Sequence, residues 1–219
     1  MAEPTDNSRL IRSPLNQMAP DFEARTTLGL VRLSDYRGKW LLFFSHPADF
    51  TPVCTSEFVS LQKAQNKFSA LNCDLLGLSV DSVFSHIAWL RDIENNFDTK
   101  ITFPIIEDTS MAIGRAYGMI HQESESTAAV RSVFFIDPEG VIRAQIHYPM
   151  VVGRSVDELL RVLAALQHAD GHGVGTPEGW RPGDKAVLPP PLNDDEASQR
   201  EQHSSSTAWY FTSKELEND

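Results

Sequence analysis

Cys54 lies in the run Ser45-His46-Pro47-Ala48-Asp49-Phe50-Thr51-Pro52-Val53-Cys54-Thr55-Ser56-Glu57, just after a proline and at the head of a helical pattern. Cys54, Phe58, Leu61, Phe68 and Leu71 recur at three- or four-residue steps or their sums, which marks one face of a helix opening near Pro52. Proline suits a first turn, where its missing N–H has no intrahelical partner to lose. The spacing therefore predicts Cys54 in that turn, beside unpaired backbone N–H groups and the positive end of the helix dipole. Such a position favours thiolate over thiol, and the thiolate is the nucleophile. The chemistry on offer is attack by an ionised sulfur.

The elements that must position this sulfur are readable on either side. Residues 40–44, Trp-Leu-Leu-Phe-Phe, have the length and types of a buried strand, and residues 75–80 repeat the pattern. With the intervening helix, which runs to about Leu71, they compose a right-handed strand–helix–strand unit. Asp81 and Ser82 are placed to cap a helix carrying Phe84, Ile87, Trp89, Leu90 and Ile93. Residues 31–33 and 102–106 read as strands, and 111–117 as a short helix. Residues 133–136 and 141–147 flank the turn signal Asp137-Pro138-Glu139-Gly140 and form a hairpin. Ser155-Val156-Asp157-Glu158 is a capping box opening a helix to about His168. This alternation predicts an α/β chain with a central mixed sheet flanked by helices.

A chain of 219 residues has room for one ordinary domain and an extension. The expected division is a polar lead-in over residues 1–14, a main domain over 15–170 and a C-terminal arm over 171–219. In that arm Pro177, Pro182 and Pro189-Pro190-Pro191 oppose regular structure, while Trp180, Val187, Leu188, Trp209, Tyr210 and Phe211 are too apolar for a disordered tail. An ordered extended arm lying on a second copy of the chain is expected. The net charge of -11 opposes a nucleic-acid or anionic-membrane surface. Seven acidic against two basic residues over 193–219 leave -5 there, the pattern of a solvated tail. Two cysteines cannot build a disulfide framework, and no apolar stretch reaches membrane-spanning or secretory-signal form, so a reducing cytoplasm is expected. There is no Gly-rich phosphate loop, no His-Glu-x-x-His and no Gly-x-Ser-x-Gly, and the last absence counts against a serine esterase. His168 and His172 stand four apart without a third ligand nearby, and no metal is expected.

Taken with Ala19-Pro20-Asp21-Phe22, Leu33-Ser34-Asp35-Tyr36-Arg37-Gly38-Lys39-Trp40, Arg131-Ser132-Val133-Phe134-Phe135-Ile136-Asp137 and Val152-Gly153-Arg154-Ser155, the run around Cys54 makes the chain resemble the peroxiredoxins, thiol peroxidases on a thioredoxin-like fold. Gly179-Trp180-Arg181-Pro182-Gly183-Asp184-Lys185, followed by three prolines, is similar to the C-terminal domain of the one-cysteine subfamily with its many bacterial and archaeal members. The resemblance implies reduction of hydrogen peroxide and alkyl hydroperoxides without metal, haem, flavin or other cofactor. It implies a homodimer able to form rings of five dimers, reduced by an external thiol such as a thioredoxin-like protein or glutathione.

It also implies roles. Cys54 is the peroxidatic nucleophile, passing through a sulfenic acid. Thr51 bonds the sulfur and the peroxide, and Pro47 shields the sulfur from water. Arg131 stabilises the thiolate and the oxygen that gains charge. Glu57 orients an arginine, Arg154 is the second arginine, and His46 bonds the cysteine or its oxidised form. Each has a plainer alternative on sequence alone. Cys54 can be a core thiol, Arg131 an edge-strand charge, and Arg154 a residue before a cap. Glu57 can be a first-turn acid, His46 a structural histidine, and Thr51 the helix cap. Cys73 reads as a small core residue, and no cysteine follows it, which points to a one-cysteine cycle. A peroxide sensor or relay, or an oligomeric holdase, would share the first step and stays open at this stage.

Overall fold

The computed structural model describes residues 14–120 and 129–216, so most of the polar lead-in expected over residues 1–14 lies outside the described residues. Two compact units divide between Arg154 and Ser155. The first is built on parallel pairing of the two apolar runs. Trp40–Ser45 (β3) lies beside Cys73–Ser79 (β4), from Trp40 opposite Cys73 to Ser45 opposite Leu78. Every residue of β3 is buried because both faces of the strand are covered. Phe43 meets Phe22 and Tyr117, while Phe44, pointing the other way, meets Phe58 and Phe103.

A parallel pair needs a crossover, supplied here by Pro52–Ala70 (α1). Val83–Phe97 (α2) follows β4 and leads to Ile105–Glu107 (β5), which is parallel to β4. Arg131–Ile136 (β6) pairs antiparallel with β3, and Ile142–Tyr148 (β7) with β6. Glu23–Thr26 (β1) and Gly29–Arg32 (β2) form a hairpin at the far edge, giving the order β2-β1-β5-β4-β3-β6-β7. Helices α1 and α2 touch each other and pack on β4 and β5. The opposite face carries Leu41, Phe43, Leu76, Leu78 and Phe134 together with Tyr117, Met119 and Ile120, which follow Ala112–Ala116 (α3). The expected mixed sheet flanked by helices is the one observed.

The second unit opens with Val156–His172 (α4), capped by the Ser155 side chain accepting from the Glu158 N–H. Its C-terminal stretch holds Ala186–Val187 (β8), Asp194–Glu201 (α5), Ser206–Ala208 (β9) and Phe211–Lys214 (β10), with the three strands in the order β8-β10-β9. No helix among the described residues is long and apolar enough to cross a membrane.

Several expectations need correction. Helix α4 groups with the C-terminal elements in the second unit, its His168 ring stacked on Trp180. Helix α4 runs past Gly171 to a stop at Gly173, whose φ of 62° is the left-handed cap conformation. The strand expected from Thr102 begins only at Ile105, since the Thr102 N–H donates to Gln62 Oε1 of α1 and Pro104 has no N–H. Strand β1 was not anticipated. The acid-rich tail contains a helix because Asn193 caps it through the Glu196 N–H and three acids occupy its first turn, matching the dipole. On α2, Phe84 and Ile87 are exposed, and the buried face is Val83, His86, Trp89 and Ile93.

Phe58 is fully buried and lies against the rings of Phe44, His46, Trp89 and Phe103. Phe58→Ala is expected to lower the unfolding free energy by about 3–5 kcal/mol, read as a shift in urea midpoint.

Candidate active site

Thr51 is the residue before α1, with extended backbone (φ -109°, ψ 144°), and Pro52 opens the helix. Cys54 therefore sits in the first turn, as its spacing predicts. Its side chain has no exposed surface, so the sulfur is enclosed in this conformation. The enclosure is polar on one side, where Arg131 Nη1 donates to Cys54 Sγ at 3.3 Å.

Glu57, one turn further along α1, organises the polar side. Arg131 Nη1 donates to its Oε2 at 2.7 Å. Arg154 reaches the same carboxylate through Nε to Oε1 (2.9 Å), Nη2 to Oε2 (2.8 Å) and its backbone N–H to Oε1 (2.8 Å). The remaining donors close on backbone carbonyls. Arg131 Nε and Nη2 both reach Met150 O, and Arg154 Nη1 reaches Ser45 O and Ser132 O. The Arg154 guanidinium also lies 5.2 Å from the Phe44 ring centroid. Burial alone would raise the Glu57 carboxyl, but hydrogen bonds and charge from Arg154, with the charge of Arg131, outweigh it and hold the group below the usual carboxylate range.

Two guanidinium groups and one carboxylate leave this buried cluster with one positive charge. The sulfur at 3.3 Å is where a compensating anion would sit. β6 supplies Arg131, the turn after β7 supplies Met150 O, residue 154 follows that turn, and α1 supplies Cys54 and Glu57. The cluster is thus assembled where the ends of the central strands meet the head of α1.

The other expected residues lie in the segment leading into α1. Pro47 is buried. The Thr51 hydroxyl donates to Ala48 O at 2.9 Å instead of capping the helix or bonding the sulfur, and the Thr51 carbonyl accepts from the Thr55 N–H and hydroxyl. His46 was expected beside the sulfur. Its Nε2 bonds Asp49 Oδ1 at 3.0 Å, and its Nδ1 is buried without a partner. Cys73 is buried in β4, and burial, aided by the charge of Asp74 and opposed by a backbone hydrogen bond from Leu42, pushes its thiol up to about 12.

Sequence reasoning missed Asp49, Asp81 and His86. His86 Nδ1 lies 3.0 and 2.9 Å from the two Asp49 oxygens, and its Nε2 lies 3.2 Å from Ile106 O. The signal that could have found His86 is its spacing, three residues after Val83 and three before Trp89 on the buried face of α2. His46, Asp49 and His86 place one potential metal ligand each within 4.8 Å of one another, the single such group among the described residues. Their direct contacts of 2.9–3.0 Å are hydrogen bonds that already occupy both Asp49 oxygens. The His168 and His172 rings are tilted at 37° with centroids 4.5 Å apart, and His172 Nδ1 bonds His168 O.

The family model described as AhpC/TSA matches residues 15–145, and the C-terminal domain of 1-Cys peroxiredoxin matches residues 165–203. Peroxiredoxin 2 of Picrophilus torridus is 49% identical over 197 residues, 90% of this chain and 96% of that one. The peroxiredoxin of Aquifex aeolicus is 45% identical over 214 residues, 92% of this chain and 96% of that one. Among solved structures, a yeast mitochondrial 1-Cys peroxiredoxin, described for thiol resolution through glutathione/thioredoxin systems, has a TM-score of 0.81 at 40% identity, covering 91% of this chain and 99% of that one. Peroxiredoxin 6 of Arenicola marina, as its C45S mutant, has a TM-score of 0.81 at 30% identity, covering 93% and 99%.

Glu57→Ala leaves two guanidinium groups buried without their anion and is expected to cost about 3–5 kcal/mol in chemical denaturation. A second outcome concerns pH. Burial, only partly offset by Asp49 and with His86 opposing and Asp81 assisting protonation, lowers His46 below its ordinary 6.5. The unfolded chain then binds the proton more readily, so this contribution is complete above pH 6.5 and is lost as pH falls below it. Asp49, for which hydrogen bonds and charge from His46 and His86 overcome burial, is lowered from 3.8, and its contribution disappears only at still lower pH. Melting temperature should therefore fall between pH 7 and 5.5, with a shallower fall in His46→Gln.

Proposed function

The chain belongs to the peroxiredoxin family of thiol-dependent peroxidases, and from that premise we propose that Cys54 is its peroxidatic nucleophile, acting on hydrogen peroxide and alkyl hydroperoxides. The observation that carries the assignment is the Arg131 donor 3.3 Å from a first-turn sulfur. In the reaction the Cys54 thiolate attacks the terminal peroxide oxygen. A sulfur–oxygen bond forms, the oxygen–oxygen bond breaks, and two electrons pass from sulfur to the departing oxygen. That oxygen takes up a proton and leaves as water or an alcohol, while Cys54 becomes a sulfenic acid.

The surrounding groups have complementary tasks. Arg131 holds the thiolate and the oxygen on which charge accumulates, in a water-poor site where such contacts weigh most. Glu57 fixes the guanidinium plane of Arg131 and ties it to Arg154. Pro47 adds no N–H that would compete for the sulfur. The Thr51 hydroxyl, now on Ala48 O, can turn toward the peroxide. His46, whose Nδ1 is free to accept, is assigned to the oxidised form of Cys54.

Regeneration needs a thiol from outside. It attacks the sulfenic sulfur, releases water and forms a mixed disulfide, which a second thiol then cleaves. A thioredoxin-like protein or glutathione is the proposed reductant, in line with the systems named for the yeast relative. A sulfur with no exposed surface requires the first turn of α1 to open for this step. The proposed setting is the cytoplasm, and the proposed assembly is a homodimer joined by the C-terminal arm, extendable to a ring.

Cys54→Ser is expected to abolish peroxide consumption with a thiol reductant. Arg131→Ala should reduce the rate constant for sulfenic acid formation about 10²–10³-fold, whereas Cys73→Ala should leave it unchanged. Stopped-flow oxidation with hydrogen peroxide measures all three. Parental turnover in Cys54→Ser would refute the assignment.

A further inference from the structure

Resting on the assignment of Cys54 to peroxide attack, we infer that His86, acting through Asp49, is a positioning residue for that reaction. Residues 46–51 form the approach to the first turn of α1 and contain Pro47 and Thr51. This segment is tethered to the sheet and to α2 at successive points. The His46 N–H donates to Leu78 O at 2.9 Å. The Asp49 N–H donates to Asp81 Oδ2 at 3.0 Å, and Asp81 Oδ2 is itself held by the Ser79 hydroxyl at 2.8 Å. The Asp49 carboxylate is gripped by His86 from α2 and by His46 from within the segment.

The donor inventory sets the direction of the His86 contact. An ionised Asp49 can only accept, so the His86 Nδ1 carries a proton and donates to it. The result is a hydrogen bond to an ionised carboxylate between two side chains that are 0% and 2% exposed, with both Asp49 oxygens filled. The same inventory fixes the His46 tautomer. Its Nε2 carries the proton toward Asp49, which leaves Nδ1 as a bare acceptor.

The backbone shows what the tether restrains. Phe50, between Asp49 and Thr51, has a φ of 54°, a left-handed conformation unusual for a residue with a β-carbon. Such a conformation persists where its surroundings over-determine it, and the anchors on Asp49 supply that constraint immediately before it. Helix α2 also reaches the far side of the nucleophile. Trp89, one turn after His86, donates from Nε1 to the Thr55 hydroxyl at 3.2 Å, and Thr55 is the residue after Cys54. His86 and Trp89 therefore hold the chain on both sides of the sulfur while touching none of the reacting atoms.

The test compares two reactions of Cys54 in the full chain, oxidation by hydrogen peroxide and alkylation by iodoacetamide at the same pH. Peroxide attack needs the placed segment, and alkylation needs chiefly an available thiolate. His86→Leu should oxidise about 10–100-fold more slowly than the parent, with alkylation changed less than about twofold. His86→Asn, whose amide can donate to Asp49, should recover most of the lost rate. Parental oxidation in a folded His86→Leu chain, or equal losses in both reactions, would overturn the inference. If His86→Leu does not fold, Asp49→Asn must show the same split, and its absence there overturns the inference equally. Failure of the parent chain itself to be oxidised at Cys54 would refute the peroxidase assignment instead, so the two failures are distinct.

Discussion

One carboxylate governs the site. Glu57 is almost wholly enclosed and accepts from both Arg131 and Arg154, so neither guanidinium can move without leaving a buried charge short of its partner. An isolated buried ion pair often gains little net stability, because desolvation offsets attraction. Here the pair is extended to three charged groups whose remaining donors end on the carbonyls of Ser45, Ser132 and Met150. That arrangement leaves the surplus positive charge aimed at Cys54 and at no other side chain among these contacts. The fold is consequently obliged to bring α1, β3, β6 and the turn after β7 together at one point.

Burial follows from the same requirement. A guanidinium 3.3 Å from a sulfur acts far more strongly in a low-dielectric surrounding than in water. A site that excludes water has to admit a small substrate and later expose an oxidised sulfur to a much larger thiol. These demands conflict in one static arrangement. A short first turn is the natural place to reconcile them, since its backbone has few intrahelical bonds to lose. The Thr51 carbonyl holds it through two bonds from Thr55, and Trp89 adds a third contact on the Thr55 hydroxyl.

Much of this was readable before any coordinates. Residues 40–44 are apolar without alternation and become a strand covered on both faces. The proline-led pattern of α1 places Cys54 in its first turn. The role of Glu57 in orienting an arginine came from the resemblance to the peroxiredoxins, and that it would serve two arginines was not expected, because Arg154 is 97 residues away and no local pattern reports a tertiary approach. His86 escaped notice for a different reason. A histidine among Phe84 and Ile87 looks like the polar residue of an apolar face, whereas the structure turns those two outward and buries the imidazole. At the other end the acids that read as solvated are exposed, and what composition did not report is that three of them form the first turn of α5.

The boundary between core and site is also less sharp than residue types suggest. The His46 ring lies 4.8 Å from Phe58 and 5.2 Å from Trp89, while its Nε2 belongs to the Asp49 network. Phe58 in turn packs on Phe44, and Phe44 lies beneath the Arg154 guanidinium. A displacement of these rings would therefore reach the arginine side of the sulfur through Phe44 and the His86–Asp49 side through His46. Close packing transmits such shifts because the interior holds no spare volume in which to absorb them. The aromatic layer under α1 thus links the Glu57–arginine network to the Asp49 network.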